Sequence, residues 1–362
     1  MYSALRHIPD IFIKRQPIQL TFFLTRRCNA RCPYCFYLES NETKRLETEE
    51  LSLREIELIS LSLGKLLWLA FSGGEIYLRK DLLDISRIFY QQNKPVIMLY
   101  PTNGLMPDLI RQRTEQILRE CTNSIIAVKL SLDELGDAHD RLRNTPNSFK
   151  KTLQTYHLLA PLLARYPNFE LGINTVFCSD NQNNMDAIID FVAGLEYAQT
   201  HTISMVRGNL KQDRYKTVDY AKYARAVERL AKNIKQKKNG IYRFKGAKLK
   251  AAQDVLQRRL IHRTLTEQNR QIPCYAGRTN LVLNETGEVY PCEMLSSSFG
   301  NVRNFNYELR RVIQSQQAQQ SIASIKAEQC FCSHECNFMT NILFNPAMYP
   351  ALLKIYRAEL TD

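Results

Sequence analysis

Within TRRCNARCPYCFYLES, residues 25–40, Cys28, Cys32 and Cys35 place three thiols in eight residues, among the aromatic side chains Tyr34, Phe36 and Tyr37. Three is an awkward number. A closed structural zinc site takes four ligands, and disulfides take cysteines in pairs. The Cys-x3-Cys-x2-Cys loop is either short of a ligand or built to leave one metal position open. Read from its residues alone, it fits a partial zinc site or an iron–sulfur site. Thiolates at this spacing can hold three corners of a cubane cluster that ordinarily takes four protein ligands.

A second group of thiols lies at the other end of the chain. Cys274 and Cys292 flank the alternating stretch NLVLNETGEVYPC, a β-hairpin with NETG at its turn. Cys330, Cys332 and Cys336 follow in the knot CFCSHEC, which also contains His334. A hairpin fixes the direction of its ligands and makes a good metal cradle. His334 is expected beside the ligands rather than among them. Cys121 and Cys178 stand alone and read as buried structural cysteines.

Both groups need a scaffold. Between residues 18 and 208, apolar strand-like runs alternate with helical patterns six times, as in a parallel sheet covered by helices. One helix carries a capping-box pattern at Ser52 and Glu55, one starts at Pro107, and one is divided at Pro161. The polar punctuation falls at the strand ends where function gathers in such folds: the cysteine loop, SGGE, TNG, SLDE, NTVF and RG. In SGGE, adjacent glycines would let backbone approach a ligand, and the Glu75 carboxylate could then grip an amino group.

At these residues, from about 16 to 209, the chain resembles the radical S-adenosylmethionine (radical SAM) superfamily. The family pattern CxxxCxΦC, with Φ aromatic, corresponds to Cys28, Cys32, Tyr34 and Cys35. The resemblance implies a [4Fe–4S] cluster on those three cysteines, with SAM on the open iron. It further implies reductive cleavage of SAM to a 5′-deoxyadenosyl radical that abstracts a substrate hydrogen. An external one-electron donor of flavodoxin or ferredoxin type is then required. Gly73, Gly74 and Glu75 would meet the SAM amino group, and Tyr34 and Phe36 its adenine. Ser131, Asn174 and Arg207 would reach its methionine or ribose, with Asn103 also lining the site. The arrangement Cys274-x12-Gly287-x4-Cys292 is similar to the start of the auxiliary-cluster domain called SPASM, or of its shortened form, Twitch. The full SPASM pattern has seven cysteines and two clusters. Five here imply one auxiliary [4Fe–4S] cluster on four of Cys274, Cys292, Cys330, Cys332 and Cys336.

The expected fold is α/β, a partial (β/α)6 TIM-like barrel with a small C-terminal α+β auxiliary-cluster domain. The expected segments are an N-terminal piece (1–15), a barrel (16–210), a basic helical bridge (211–270), the auxiliary domain (271–340) and a last helix (341–362). Residues 211–263 carry 17 Lys/Arg against four acidic residues, the whole excess of +13 in the 362-residue chain. That block suggests an acidic partner surface and leaves peripheral membrane contact open. Tyr242 and Phe244 interleave with its cations, as at nucleic-acid surfaces, but no nucleic-acid-binding motif accompanies them. No apolar run is long enough to span a bilayer. With no export signal read at the N-terminus, reduced cytosolic thiols are expected. Leu5, Ile8, Phe12 and Ile13 give that N-terminus an amphipathic character and are expected to pack on the domain. The substrate classes left open are a peptide or protein, a lipid or other small molecule, and, for a zinc-bound chain, an interaction partner.

Overall fold

The computed structural model describes residues 1–14, 16–37, 50–236, 238, 240–327 and 330–360. Residues 48 and 49 of the first expected helix lie outside them. Six parallel strands alternate with helices: β1 (Gln19–Thr25), α1 (Leu53–Ser62), β2 (Trp68–Gly73), α2 (Leu82–Gln92), β3 (Ile97–Thr102), α3 (Pro107–Glu120) and β4 (Ile125–Ser131). There follow α4 (Gly136–Leu142), α5 (Ser148–Leu159), α6 (Leu162–Arg165), β5 (Phe169–Phe177), α7 (Met185–Ala193) and β6 (Thr200–Met205). Ser52 and Glu55 close a reciprocal capping box on α1, Pro107 is the first residue of α3, and Pro161 separates α5 from α6. The short α4 has no counterpart in the sequence reading.

Each strand sends one set of side chains under the helices and the other into the barrel. Leu20, Phe22 and Leu24 of β1, Leu69 and Phe71 of β2, and Ile126, Val128 and Leu130 of β4 are all buried in the principal core. Each contributes about 2–3 kcal/mol by leaving water. The barrel interior carries small or polar residues at several inward positions, among them Thr21, Ala70, Ser72, Ala127, Thr202 and Ser204, beside the apolar Trp68, Ile97, Leu99 and Ile125. Bulky branched side chains usually fill this space. Here the small side chains leave a cavity of about 370 Å³ running the length of the strands.

The C-terminal part extends the same sheet. After α8 (Tyr220–Lys235) and α9 (Ala247–Glu267), β7 (Asn280–Leu283) pairs parallel with β1, Gln19 opposite Asn280. Strand β8 (Glu288–Tyr290) returns antiparallel and β9 (Gly300–Asn301) follows. Among the described residues the sheet order is β6-β5-β4-β3-β2-β1-β7-β8-β9. Helices α10 (Leu309–Gln314), α11 (Gln316–Ala327), α12 (Glu335–Leu343) and α13 (Tyr349–Leu360) complete the chain.

One sequence expectation is corrected. Leu5, Ile8, Phe12 and Ile13 do not pack on the domain. They are 49–75% exposed, because the 3₁₀ turn Ala4–Ile11 docks through Tyr2, Arg6 and the buried His7. The interleaved aromatics of the basic block face inward rather than towards a partner. Tyr242 donates to Asp254 (2.8 Å), and Phe244 packs with Trp68 on Ile97 and Ile125 to close the floor of the cavity. Much of that block's charge is used internally: Lys250 pairs with Asp254, Arg259 with Glu228, and Arg229 with Asp186 and Asp190.

Candidate functional site: a cysteine loop at the mouth of the cavity

The cysteine loop leaves the C-terminal end of β1, and the glycines of β2 hold it against the sheet. Gly74 donates its N–H to the Thr25 carbonyl (2.7 Å) and Glu75 to that of Arg27 (2.8 Å). A Cβ on Gly74 would lie 2.1 Å from the Arg27 carbonyl oxygen. The close approach that requires glycine is thus between two backbone segments. The Glu75 carboxylate turns inward, where it accepts from the Thr102 hydroxyl (2.9 Å) and from the N–H groups of Asn103 (2.8 Å) and Tyr77 (3.3 Å). Burial pushes its pKa up to about 7 despite those donors. Asn103 reaches back to the loop, donating to Asn29 (2.7 Å) and lying 3.8 Å from the Cys28 sulfur. Gly73, Gly74, Glu75 and Asn103 therefore brace the loop from behind.

Cys32, Cys35, Tyr34 and Phe36 line the cavity, as do Ser131, Asn174 and Arg207 from the ends of β4, β5 and β6. Asn174 accepts from Ser204 (3.0 Å). Gly208, at φ +78°, lets Phe36 close on the end of β6, since a Cβ there would lie 2.6 Å from that of Phe36. Two residues that were not singled out from the sequence organise this wall. Asp133 accepts from the Tyr34 hydroxyl (2.5 Å), from Arg143 (2.6 Å) and from the Val176 N–H (2.7 Å). Arg143 is buried beside Cys32 and Cys28, and burial would disfavour its charge, but Cys32, Tyr34 and Asp133 hold it firmly protonated. Asp133 stands in the quoted SLDE and could have been chosen beside Ser131. Arg143, just beyond α4, gave no signal.

The C-terminal cysteines approach from the other side. Cys274, Cys292 and Cys332 lie within electrostatic reach of one another. Cys336 instead faces His334 and Arg207 and lines the barrel cavity. Cys330 is half-buried. His334 is itself buried, its Nε2 3.3 Å from the Glu293 carboxylate. Burial alone would lower its pKa, but Glu293 and Cys336 raise it well above the usual imidazole value. Arg207 joins the two regions, with Nη2 3.0 Å from Glu293, Nη1 2.9 Å from Glu335 and its guanidinium 5.8 Å from the Phe36 ring. Its buried Nε–H has no partner among the described residues. Glu285, in the hairpin turn, pairs with Arg26 and accepts from Tyr37, tying the hairpin to the cysteine loop. Cys121 and Cys178 are fully buried, their thiols pushed up to about 12 by burial.

The donor chemistry fits iron–sulfur clusters. Burial raises the Cys28, Cys32 and Cys35 thiols, Cys35 to about 11, so their thiolates need a cationic partner in place. Backbone N–H groups already point at sulfur: Ala30 at Cys28 (3.4 Å), and Met294 and Leu295 at Cys292. Such N–H···S contacts stabilise cluster thiolates. Among the described residues no three His, Cys, Asp or Glu side chains converge as ligands of a single ion.

Comparison with known proteins agrees with this geometry. Residues 22–192 match the family model described as the radical SAM superfamily, and residues 274–337 match SPASM, an iron–sulfur cluster-binding domain. The antilisterial bacteriocin subtilosin biosynthesis protein AlbA of Bacillus subtilis (strain 168) is 28% identical over 295 residues, which cover 81% of this chain and 59% of AlbA. The AdoMet-dependent heme synthase of Methanosarcina barkeri (strain Fusaro / DSM 804) is 23% identical over 305 residues, covering 81% of each chain. The fold is similar to that of Streptococcus suis SuiB bound to S-adenosylmethionine, with a TM-score of 0.62 at 16% identity over 90% of this chain and 75% of that one. It is similar also to SuiB bound to its precursor peptide SuiA, with a TM-score of 0.60 at 15% identity over 93% and 74%.

Proposed function

Because the chain belongs to the radical SAM superfamily and carries its SPASM iron–sulfur domain, we propose that it cleaves SAM reductively and modifies a peptide. Cys28, Cys32 and Cys35 would hold the [4Fe–4S] cluster. That cluster, when bound, supplies the electron that splits SAM into methionine and a 5′-deoxyadenosyl radical, and the radical takes a hydrogen from the substrate. A flavodoxin- or ferredoxin-type protein would deliver the electron. The observation that carries the reading is a three-thiol loop, with no fourth side-chain ligand converging on it among the described residues, at the mouth of a long, largely apolar cavity.

The remaining residues orient and enclose. Tyr34, held by Asp133, and Phe36, held against Gly208, would flank the adenine. Ser131, Asn174 and the free Nε–H of Arg207 would meet the ribose and methionine. Glu75 and Asn103 would fix the loop that carries the cluster. Four of the five C-terminal cysteines would hold one auxiliary [4Fe–4S] cluster, and the Arg207 clasp would keep that region over the cavity mouth.

The peptide substrate is supported by the bacteriocin biosynthesis named for AlbA and the precursor peptide bound by SuiB. A second reading, a small molecule such as a tetrapyrrole, is favoured by the heme synthase, whose match covers most of both chains. Anaerobically reconstituted protein given SAM and dithionite should release 5′-deoxyadenosine, and replacing any of the three loop cysteines by Ala should abolish it. No product from the fully iron-loaded wild type would sink the proposal. Faster turnover with a porphyrin, and none with peptides encoded beside the gene, would favour the second reading.

A further inference from the structure

The end of the barrel opposite the Cys28–Cys35 loop carries an apolar strip with no partner among the described residues. The N-terminal turn is fixed there by its polar side: the Tyr2 N–H donates to the Asn123 carbonyl (2.7 Å), Arg6 donates to the carbonyls of Leu66 (2.8 Å) and Lys94, and His7 is buried. Leu5, Ile8, Phe12 and Ile13 consequently point away from the protein, Phe12 at 75% and Leu5 at 70% exposed. Isolated exposed apolar residues are ordinary; a contiguous set marks a contact surface.

Cations lie at the same end of the barrel as this strip. Tyr2 and Phe244 touch one small core of Val96, Ile97, Ile125 and Ala127, so the N-terminal turn and the basic segment cover the same barrel end. Lys65 and Lys94 border the carbonyls that Arg6 holds, and Lys245 and Lys248 flank Phe244. All four are exposed and take part in no ion pair among the described residues. The nearby acids are occupied: Asp10 lies 3.0 Å from His7, and Glu120 pairs with Arg87.

We propose that this end of the barrel docks on a bilayer containing anionic lipid. Leu5, Ile8, Phe12 and Ile13 enter the interface, and Lys65, Lys94, Lys245 and Lys248 contact headgroup phosphates. Apolar residues accompanied by unneutralised lysines are what such a surface attracts. A second copy of the chain is a poorer occupant, because it would bring its own lysines against these. Docked this way, the cysteine-bearing mouth faces away from the membrane and stays open. The proposal does not rest on the peptide-modifying reading.

The test uses the full chain and vesicles of phosphatidylcholine alone or mixed with phosphatidylglycerol. The wild type should co-sediment only with the mixed vesicles, less as salt is raised. Leu5→Ser with Phe12→Ser, and separately Lys245→Glu with Lys248→Glu, should weaken binding about tenfold. Both variants should keep the wild-type circular dichroism spectrum and 5′-deoxyadenosine formation. The proposal is overturned if the wild type ignores the mixed vesicles or binds pure phosphatidylcholine equally. It is also overturned if the Ser pair binds undiminished, or if light scattering shows a dimer that the Ser pair dissolves.

Discussion

Arg143, at the mouth of the barrel cavity, meets the Asp133 carboxylate at 2.6 Å. Lys129, on the same wall near the floor, meets the hydroxyls of Thr200 and Thr202 and the ring of Tyr242, and no carboxylate pairs with it among the described residues. Burial pulls the Lys129 pKa down to about 7, with Asp254 opposing the shift. Close by, burial pushes Glu170 up to about 7, and one of its oxygens has no partner. At the mouth, the buried guanidiniums are closed into pairs and forks: Arg143 with Asp133, Arg207 with Glu293 and Glu335. For Lys129 and Glu170 at the floor, burial outweighs the compensation. The difference teaches where the fold needs permanent charge. Around thiolates that would hold a cluster, a guanidinium must stay charged at every working pH, and arginine with a matched carboxylate does that. The floor can tolerate groups that titrate.

Breaking the mouth should do most damage. Arg143→Met leaves Asp133 buried without its cation, so unfolding stability should fall by about 3–5 kcal/mol. Iron and acid-labile sulfide per chain should fall with it, and Arg143→Met with Asp133→Asn should recover part of the stability. Unchanged iron and melting temperature in the single variant would remove Arg143 from the site's electrostatics. Arg207→Gln should come next, at about 2–4 kcal/mol. Its mark should be regional: faster amide hydrogen exchange in β7 and β8, with β4 and β5 unaffected. Uniform exchange across the sheet would mean that Arg207 is no clasp.

The floor should respond in the opposite sense. Replacing Lys129 by Met should raise stability at neutral pH, by roughly 1–2 kcal/mol. Its folded pKa lies below its unfolded one, so the unfolded chain binds more protons between about pH 7 and 10.5, and stability should rise with pH across that window. Lys129→Met should flatten the rise. The smallest effect concerns Glu170, whose folded pKa is raised. Its contribution is complete below about pH 4.5 and is lost as pH climbs through 7. Melting curves of Glu170→Gln should lack that decline. Wild-type melting temperatures that are flat over both windows would erase the contrast between mouth and floor.

Much of this molecule was readable from residue order. Local signals sufficed for β1 to β6, the capping box at Ser52, the division at Pro161 and the cysteine loop, because each depends on neighbours a few residues apart. The same strands read as simply apolar, yet their inward positions hold Thr21, Ala70 and Ala127, so the cavity was not foreseen. Arg143 was invisible because nothing local distinguishes it from a solvated helix-end arginine. Its role exists only once β1, β4 and α4 meet. Tyr242 and Phe244 were ambiguous for the same reason, as a basic stretch with aromatics looks alike whether its rings face solvent or a barrel floor. The N-terminal turn showed its amphipathic pattern plainly. Which face would dock was decided by Arg6, whose partners lie 60 and 88 residues away.

The pairing of β7 with β1 has a consequence for synthesis. β1 emerges early from the ribosome, but its second neighbour lies about 260 residues later. Until β7 arrives, the strand that carries the cysteine loop has one unpaired edge, and open edges recruit other chains. A nascent or truncated chain ending before Asn280 would present that edge, beside three reduced thiols, to any chaperone or aggregate in reach. The loop can be enclosed only once the residues through β7 have been made, so β7 acts as a late stave of the barrel wall.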